Sequence, residues 1–415
     1  MAQSASSFAS VIKDVWTSDT LQKQFEAGNK PLGEFENFKG TPIGTQAQVP
    51  IYSGRSFGYT STSASGGSLN AAQQQSVAQA TYTVPYHWFQ ISLETSAIAQ
   101  ANGGNSSIVN AKDFEIENAV ENLKHQMVRQ LVTNGDGIIA ACGTASSATV
   151  PLTAATSEGS AYGYSALVRG WLAPGATVDI GTTSDTDALA TAATISAVSV
   201  SAGSPTITIG SSISTTAGTH YVYVPNPNSA TAANTEMNGL RQIVNSSGAL
   251  GGLNPATAGQ EYWQAAARDT TTTILSIDLL LAFQRQIRQN GGEKQAIWTG
   301  LKQQANLYSL LQNQIRFSGD TSLTAGADQT VKWNDVDVKA FADILDTDLF
   351  MLSPSDLVKV VTPGVSKPTW IGDLQGSNTG FQWSPNQTAF SDAIVWPVNL
   401  ACHRRNTHAA ATALQ

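Results

Sequence analysis

The sequence predicts an α+β protein built on a predominantly antiparallel sheet. Three observations lead there. One long amphipathic helical pattern runs over 111–132, and runs of β-branched and aromatic residues bounded by turn residues lie on both sides of it. The third is charge: 13% of the 415 residues are charged, against about 25% in ordinary globular chains. Ser, Thr, Ala, Gln, Asn and Gly stand in their place. Such a composition suits a chain whose surface largely becomes interface, because interface cores are depleted in Lys, Glu and Asp. The net charge of −8 with no basic patch argues against a surface that grips phosphates. No run approaches the ~20 apolar residues of a membrane-spanning helix. Cys142 and Cys402 lie far apart in no motif, which argues against a disulfide framework.

Taken in order, residues 1–40 read as an amphipathic arm. Phe8, Val11, Ile12, Val15 and Trp16 fall at helical spacing, and Leu21, Phe25, Leu32, Phe35 and Phe38 follow among polar residues. Two readings stay open: a first helix packed on its own domain, or an arm lying on neighbouring subunits. Residues 41–95 read as a long extended β-hairpin. Gln48–Tyr59 and Val77–Leu93 are strand-like, and Ser61–Gln75 between them is a Ser/Gly/Gln tip. A lone two-stranded ribbon is marginal in water, so the hairpin needs a surface to lie on, and a partner subunit is expected to supply it.

Residues 96–149 carry the clearest helix, over 111–132. Ile116, Val120, Leu123, Met127 and Leu131 form its apolar stripe. Acidic residues fill its first half, and Lys124, His125 and Arg129 its second, complementing the helix dipole. Asn110 is placed to cap it, and Asn134-Gly135-Asp136-Gly137 to break it. Residues 150–235 read as an inserted all-β domain, a small sandwich or barrel. Strands are expected around Val178–Ile180, Ile195–Val200, Ile207–Ile209 and Tyr221–Val224, with turns between. Residues 236–415 are mixed. Ser276 caps a helix carrying Leu279, Leu280, Phe283 and Ile287, stopped by Gly291-Gly292. A second helix carries Leu307, Leu310, Leu311 and Ile315, and strands are expected at 336–338, 349–352, 357–361 and 393–400.

The residues offer no catalytic constellation. Cys402-His403 with His408 lacks the spacing of a zinc site and reads as strand-edge packing. Gly135-Asp136-Gly137 is followed by no Gly-Lys-Ser/Thr, so it is not a phosphate loop. Asp335, Asp337, Asp343, Asp346 and Asp348 read as a solvated acidic rim. Arg404-Arg405 has the chemistry to touch DNA or a neighbour's carboxylate. No catalytic residue, cofactor or metal is therefore expected.

The order of parts resembles the major capsid proteins of tailed bacteriophages, with the Hong Kong 97-type fold shared with encapsulins and herpesvirus shells. Three stretches carry the likeness: Leu131–Gly137, Glu236–Leu240 and Asn399–Ala409. The resemblance implies an N-terminal arm, an extended loop, a spine helix, and peripheral and apical domains, with the β-region as an insertion. It implies hexamers and pentamers of this chain closing a shell around DNA without specific binding. Portal and scaffolding proteins, and decoration proteins, are the partners it implies, and the virion, assembled in the host bacterial cytoplasm, the location. Some members cross-link through a lysine in the extended loop, but no lysine lies between Lys39 and Lys112, so cohesion is expected to be non-covalent. Trp16, Phe25, Arg55, Phe57 and Tyr59 are the expected inter-subunit contacts. Arg55, the one Lys or Arg in the hairpin, is expected to pair with a carboxylate across a boundary. An encapsulin-type compartment, or a secreted surface-layer or adhesin protein, is the alternative.

Overall fold

Strand pairing shows how the sequence patterns resolve, among the described residues, into three six-stranded sheets and a two-stranded ribbon. The structure, a computed structural model, describes residues 30–38, 45–54, 59, 61, 71, 74–94, 105–153, 163–182, 188–201, 204–225, 236–271, 273–292, 295–312, 332–334, 336–365, 367–371, 382–383 and 389–415. It begins with α1 (Lys30–Gly33) and β1 (Glu36–Asn37). The ribbon strands β2 (Gln46–Gly54) and β3 (Ser76–Thr83) and then β4 (Tyr86–Glu94) follow. The long helix is α2 (Asn105–Val132). It starts six residues ahead of the expected 111, so Asn110 lies inside it and does not cap it. Ile108 and Val109 continue the helical apolar spacing, and Ser and Asn are tolerated in a first turn. Val120, Leu123, Met127 and Leu131 are buried as the stripe predicts. Gly135 and Gly137 both adopt positive φ, the left-handed conformation that ends the helical run.

Beyond the helix come β5 (Ile138–Ala141), β6 (Ala145–Pro151), α3 (Gly163–Val168) and β7 (Thr177–Thr182). After them lie β8 (Ala188–Ser199), β9 (Thr206–Thr215) and β10 (His220–Tyr223). These strands follow the order β5-β10-β7-β8-β9-β6. The path closes on itself, because Cys142 bridges Leu152 and the Gly143 N–H donates to Pro151 O at 2.7 Å. Val150, Val178, Ile180, Ile195, Ile207, Ile209 and Val222 fill the interior, the alternation a half-buried strand requires. Closure removes sheet edges.

The remainder opens with α4 (Leu240–Ile243), β11 (Ala267–Asp269), α5 (Ile277–Gln289), β12 (Ala296–Thr299) and α6 (Leu301–Gln312). It continues through β13 (Lys332–Trp333), β14 (Val336–Ala340), β15 (Leu349–Leu352) and β16 (Leu357–Val361). It ends with β17 (Thr369–Trp370), β18 (Gln382–Trp383), β19 (Ala389–Cys402) and β20 (Ala409–Ala411). The sheet β11-β20-β15-β12-β14-β13 has two buried faces. Ile297, Val338, Leu349, Met351, Ala409 and Ala411 meet Leu280, Phe283 and Ile287 of α5 and Leu307 of α6. Trp298, Phe350, Leu352 and Ala410 turn the other way into the main core. Ser276 caps α5, its Oγ accepting from the Leu279 N–H at 3.2 Å, and Gly291 at positive φ ends it. Ile315 falls outside the described residues.

The third sheet is organised by β19, fourteen residues long. It pairs with β16 through 398–402 and with β4 through 389–397, and β1 runs parallel to β16 at the far edge. This corrects the hairpin reading. Val77–Leu93 is not one strand: β3 stays with β2, and β4 leaves to pair with β19. The break falls at Val84-Pro85, where proline removes a ladder donor and fixes its own φ. Among the described residues most strand pairs are antiparallel; the parallel ones are β1·β16, β11·β20 and β12·β14.

Candidate functional site

The stretches 131–137, 236–240 and 399–409 meet in space. Asn238 donates from its backbone N–H to Asn399 Oδ1 at 2.8 Å, and from Nδ2 to Leu400 O at 3.0 Å. A Cβ at Gly239 would collide with the Thr133 carbonyl, and one at Gly135 with the Met237 carbonyl, so both glycines are required by backbone approach. Arg129 of α2 forms a buried ion pair with Glu236. Gln130 accepts from the Met237 N–H at 3.2 Å through Oε1, and its Nε2 lies 3.5 Å from His87 Nδ1. His87 Nε2 lies 3.3 Å from Val398 O. Burial, with Arg129 nearby, lowers the His87 pKa to about 4, so the ring is neutral at neutral pH.

Two further arginines continue this buried polar junction. Arg241 binds Asp348 in a fork, Nε to Oδ2 at 2.8 Å and Nη2 to Oδ1 at 2.7 Å, with both side chains buried. Arg405 is fully buried and donates to the carbonyls of Ile243, Gly248, Gln242 and Trp263. Burial lowers its pKa to about 10, which keeps it charged at neutral pH. His408 accepts from the Ser353 N–H at 3.2 Å, and burial lowers its pKa to about 3. Burial likewise pushes the Cys402 thiol up to about 12. Such groups hold segments in place; a protonated thiol and a buried neutral imidazole are poor nucleophile and base.

Two sequence readings change here. Arg405 is not available to DNA or to a neighbour, since its guanidinium is spent on four carbonyls, whereas Arg404 is exposed. Asp348 is not part of a solvated rim, because it balances Arg241. Asp335 lies outside the described residues. No pattern in the residues marks Arg129, read as a dipole partner, as one that finds its counter-ion at position 236.

The ribbon lies against this junction and differs from it in chemistry. Ala47, Val49, Ile51, Ala80 and Tyr82 form its buried face. Tyr82 O–H donates to Cys402 O at 3.0 Å, Thr81 N–H to Gly251 O at 2.8 Å, and Asn399 Nδ2 to Thr83 O at 2.6 Å. The described stem is therefore seated on its own chain, where the sequence reading expected a partner subunit; a Cβ at Gly251, which has positive φ, would crowd Ala80 and Tyr82. Its outer face is open, with Tyr52 73% and Val77 55% exposed as a cross-strand pair. Tyr59, an expected contact, is 83% exposed. On β4, Tyr86 and Trp88 stack at 6.1 Å and stay exposed. Trp16, Phe25, Arg55 and Phe57 lie outside the described residues, so the structure does not bring them together.

Among the described residues no group of three or more His, Cys, Asp or Glu is placed to hold a metal ion. No described helix is long and apolar enough to cross a membrane.

No protein-family model matches the sequence, and no curated protein matches it. Solved structures do. A chain of the cyanophage A-1(L) capsid asymmetric unit superposes with a TM-score of 0.53 at 10% identity, over 92% of both chains. A chain of the satellite phage P4 procapsid gives 0.45 at 7% identity, over 96% of this chain and 91% of that one. An encapsulin complex from Synechococcus elongatus gives 0.43 at 8% identity, over 93% and 88%. The likeness to the cyanophage capsid chain extends over nearly the whole length of both, and the two share a fold that mixes few helices with extensive sheet.

Proposed function

We propose that this chain is the major capsid subunit of a tailed bacteriophage, a non-catalytic protein that self-assembles into an icosahedral shell around double-stranded DNA. The observation that carries the reading is the fold shared end to end with the cyanophage capsid chain. The low charge content and the exposed aromatic residues on the ribbon and β4 support it, since apolar surface in such patches marks interfaces.

In this reading residues 1–40 are the arm, 41–95 the extended loop, and 96–149 the spine helix with part of the peripheral domain. Residues 150–235 are an inserted β-domain facing outward, and 236–415 the apical domain with the rest of the peripheral domain. Hexamers and pentamers close the shell; portal and scaffolding proteins act in assembly, and decoration proteins meet the β-domain. DNA is contained and not gripped, as the net charge of −8 allows. Trp16, Phe25, Arg55, Phe57 and Tyr59 are inter-subunit contacts. Arg55→Glu is expected to lower particle yield while leaving the subunit folded by circular dichroism; a normal yield would remove Arg55 from the interface.

Particles purified from cells that make the chain natively test the assignment through their contents. Nuclease-protected double-stranded DNA is expected. A protein cargo in its place would make the shell an encapsulin-type compartment.

A further inference from the structure

The closed sheet of β5 to β10 is tied to the body at its root and again at a point far from the root in sequence. At the root, β5 starts at Ile138, directly after Gly137, and the Val224 N–H donates back to Gly137 O at 3.2 Å. The second tie is Arg169, which follows α3 and precedes Gly170 at positive φ. Its Nε donates to Ala342 O at 3.2 Å and its Nη2 to Ile344 O at 2.9 Å. Helix α3 is itself fixed to the sheet, since a Cβ at Gly163 would collide with the Thr153 carbonyl. Among the described residues of 138–225, Arg169 and Asp179 are the formally charged side chains. Asp179 accepts from the Ala192 N–H at 2.6 Å within the same sheet, whereas Arg169 reaches out of it.

The loop that Arg169 meets, 341–348, is where several parts of the molecule converge. Asp348 balances Arg241, and its carbonyl accepts from Thr299 Oγ1 at 2.9 Å. Asp346 lies at the start of α6, where its Oδ1 accepts from the Lys302 N–H at 3.3 Å and its carbonyl from Gln303 Nε2 at 2.8 Å. Thr347 O accepts from the Leu414 N–H at 2.9 Å. A Cβ at Gly300 would collide with the Leu345 carbonyl. Ile344 and Leu345 are buried in the same core as Leu167, Trp171 and Leu172. A path therefore runs from the end of α2 through the closed sheet and Arg169 to this loop. It returns through Asp348 and Arg241 to the 236–240 segment, which bonds to α2 through Gln130.

We propose that the closed sheet is a bracket and not an appendage. Through Arg169 it holds the 341–348 loop in the conformation from which α6 starts and in which Asp348 faces Arg241. Connecting loops are the more mobile parts of a fold, and one planar guanidinium fork fixes two carbonyls of this loop at once. Arg169 is thus a positioning residue, and a load or a partner acting on the closed sheet is felt at α6 and at the Arg241–Asp348 pair. This is a property of the single subunit, separate from the shell-forming reading, which stands whether or not the bracket exists.

Hydrogen–deuterium exchange of the full-length dissociated subunit tests the bracket by comparing the parent chain with Arg169→Ala. Peptides over 341–348 and 300–305 are expected to exchange about tenfold faster, the effect of one lost charge-assisted hydrogen bond. Peptides over 206–215 in β9 and 277–289 in α5 are expected to keep the parent rate. Parent rates over 341–348 and 300–305 overturn the proposal. So does an acceleration over 206–215 as large as that over 341–348, since Arg169 would then serve the fold of its own sheet. If the alanine chain does not fold, Arg169→Lys carries the test, because it keeps the charge without the two-pronged fork. About threefold faster exchange is then expected over 341–348 and 300–305, and parent rates there overturn the proposal.

Discussion

The buried junction and the outer faces of the ribbon and β4 invert the arrangement of an ordinary soluble protein. Inside, Arg129, Glu236, Arg241, Asp348 and Arg405 are almost fully buried, each pointing at a countercharge or a set of carbonyls. Outside, Tyr52, Tyr86 and Trp88 face solvent on strands that carry no Lys, Arg, Asp or Glu before Glu94, and Tyr59 is exposed as well. A small part of the charge in a chain this poor in it is buried where it fixes geometry. A buried pair is weak support for stability, because a hydrophobic replacement can match it. Its use here is in joining segments more than 100 residues apart, such as 129 to 236 and 241 to 348. Apolar surface is left open on the ribbon and β4, the surface that the proposed function gives to another copy. The interior is specified by directional bonds.

Breaking the interior has the largest expected effect. Arg241→Met leaves Asp348 buried without its partner and is expected to cost about 3–5 kcal/mol. The double variant Arg241→Met/Asp348→Leu is expected to recover most of that loss. Urea unfolding of the three proteins checks both; equal losses in the single and double variants would mean that the pair contributes more than its own charge balance.

Acid reaches the same interior through its histidines. His87 is lowered to about 4 and His408 to about 3 in the folded chain, against about 6.5 unfolded. The unfolded state therefore binds protons first. Their contribution is complete above pH 6.5 and is lost as pH falls toward 4 for His87 and toward 3 for His408. For His87 the full loss is on the order of 3 kcal/mol. Stability measured at pH 7 and 4.5 is expected to fall less in His87→Gln than in the parent chain. Equal falls would place the acid sensitivity elsewhere.

Gly239→Ala sharpens the contrast at a smaller scale. The added methyl meets the backbone of Thr133, which cannot move as a side chain can, and about 1–3 kcal/mol is expected to be lost. The outer face gives the smallest effect on the single chain. Tyr52→Ser is expected to change its stability by less than about 0.5 kcal/mol while reducing assembly. A loss of several kcal/mol by thermal melting would mean that the ring belongs to the chain's own core.

Much of this plan was legible in the residues. Period and capping gave the α5 helix with Ser276 and Gly291 at its ends, and β7 to β10 followed the turn spacing around Val178, Ile195, Ile207 and Tyr221. The three stretches 131–137, 236–240 and 399–409 stood out as patterns, but their convergence did not. Contacts over such separations leave no periodic trace: Arg129 sits among ordinary helix-end cations, and nothing near it in sequence points to Glu236. The ribbon misled for a related reason. Val77–Leu93 is aromatic and β-branched throughout, so propensity reads one strand, and Pro85 alone marks the point where pairing changes from β2 to β19. Whether an exposed aromatic residue covers its own chain or a neighbour is likewise invisible to pattern, because both uses ask for the same residues.

The measurement that bears most directly on the proposed role is negative-stain electron microscopy of the chain expressed in bacteria, fractionated by sedimentation. The account predicts rings of five or six copies, or closed shells, in the fast-sedimenting fractions. A chain that remains monomeric at every concentration, with or without portal and scaffolding proteins expressed beside it, would contradict it.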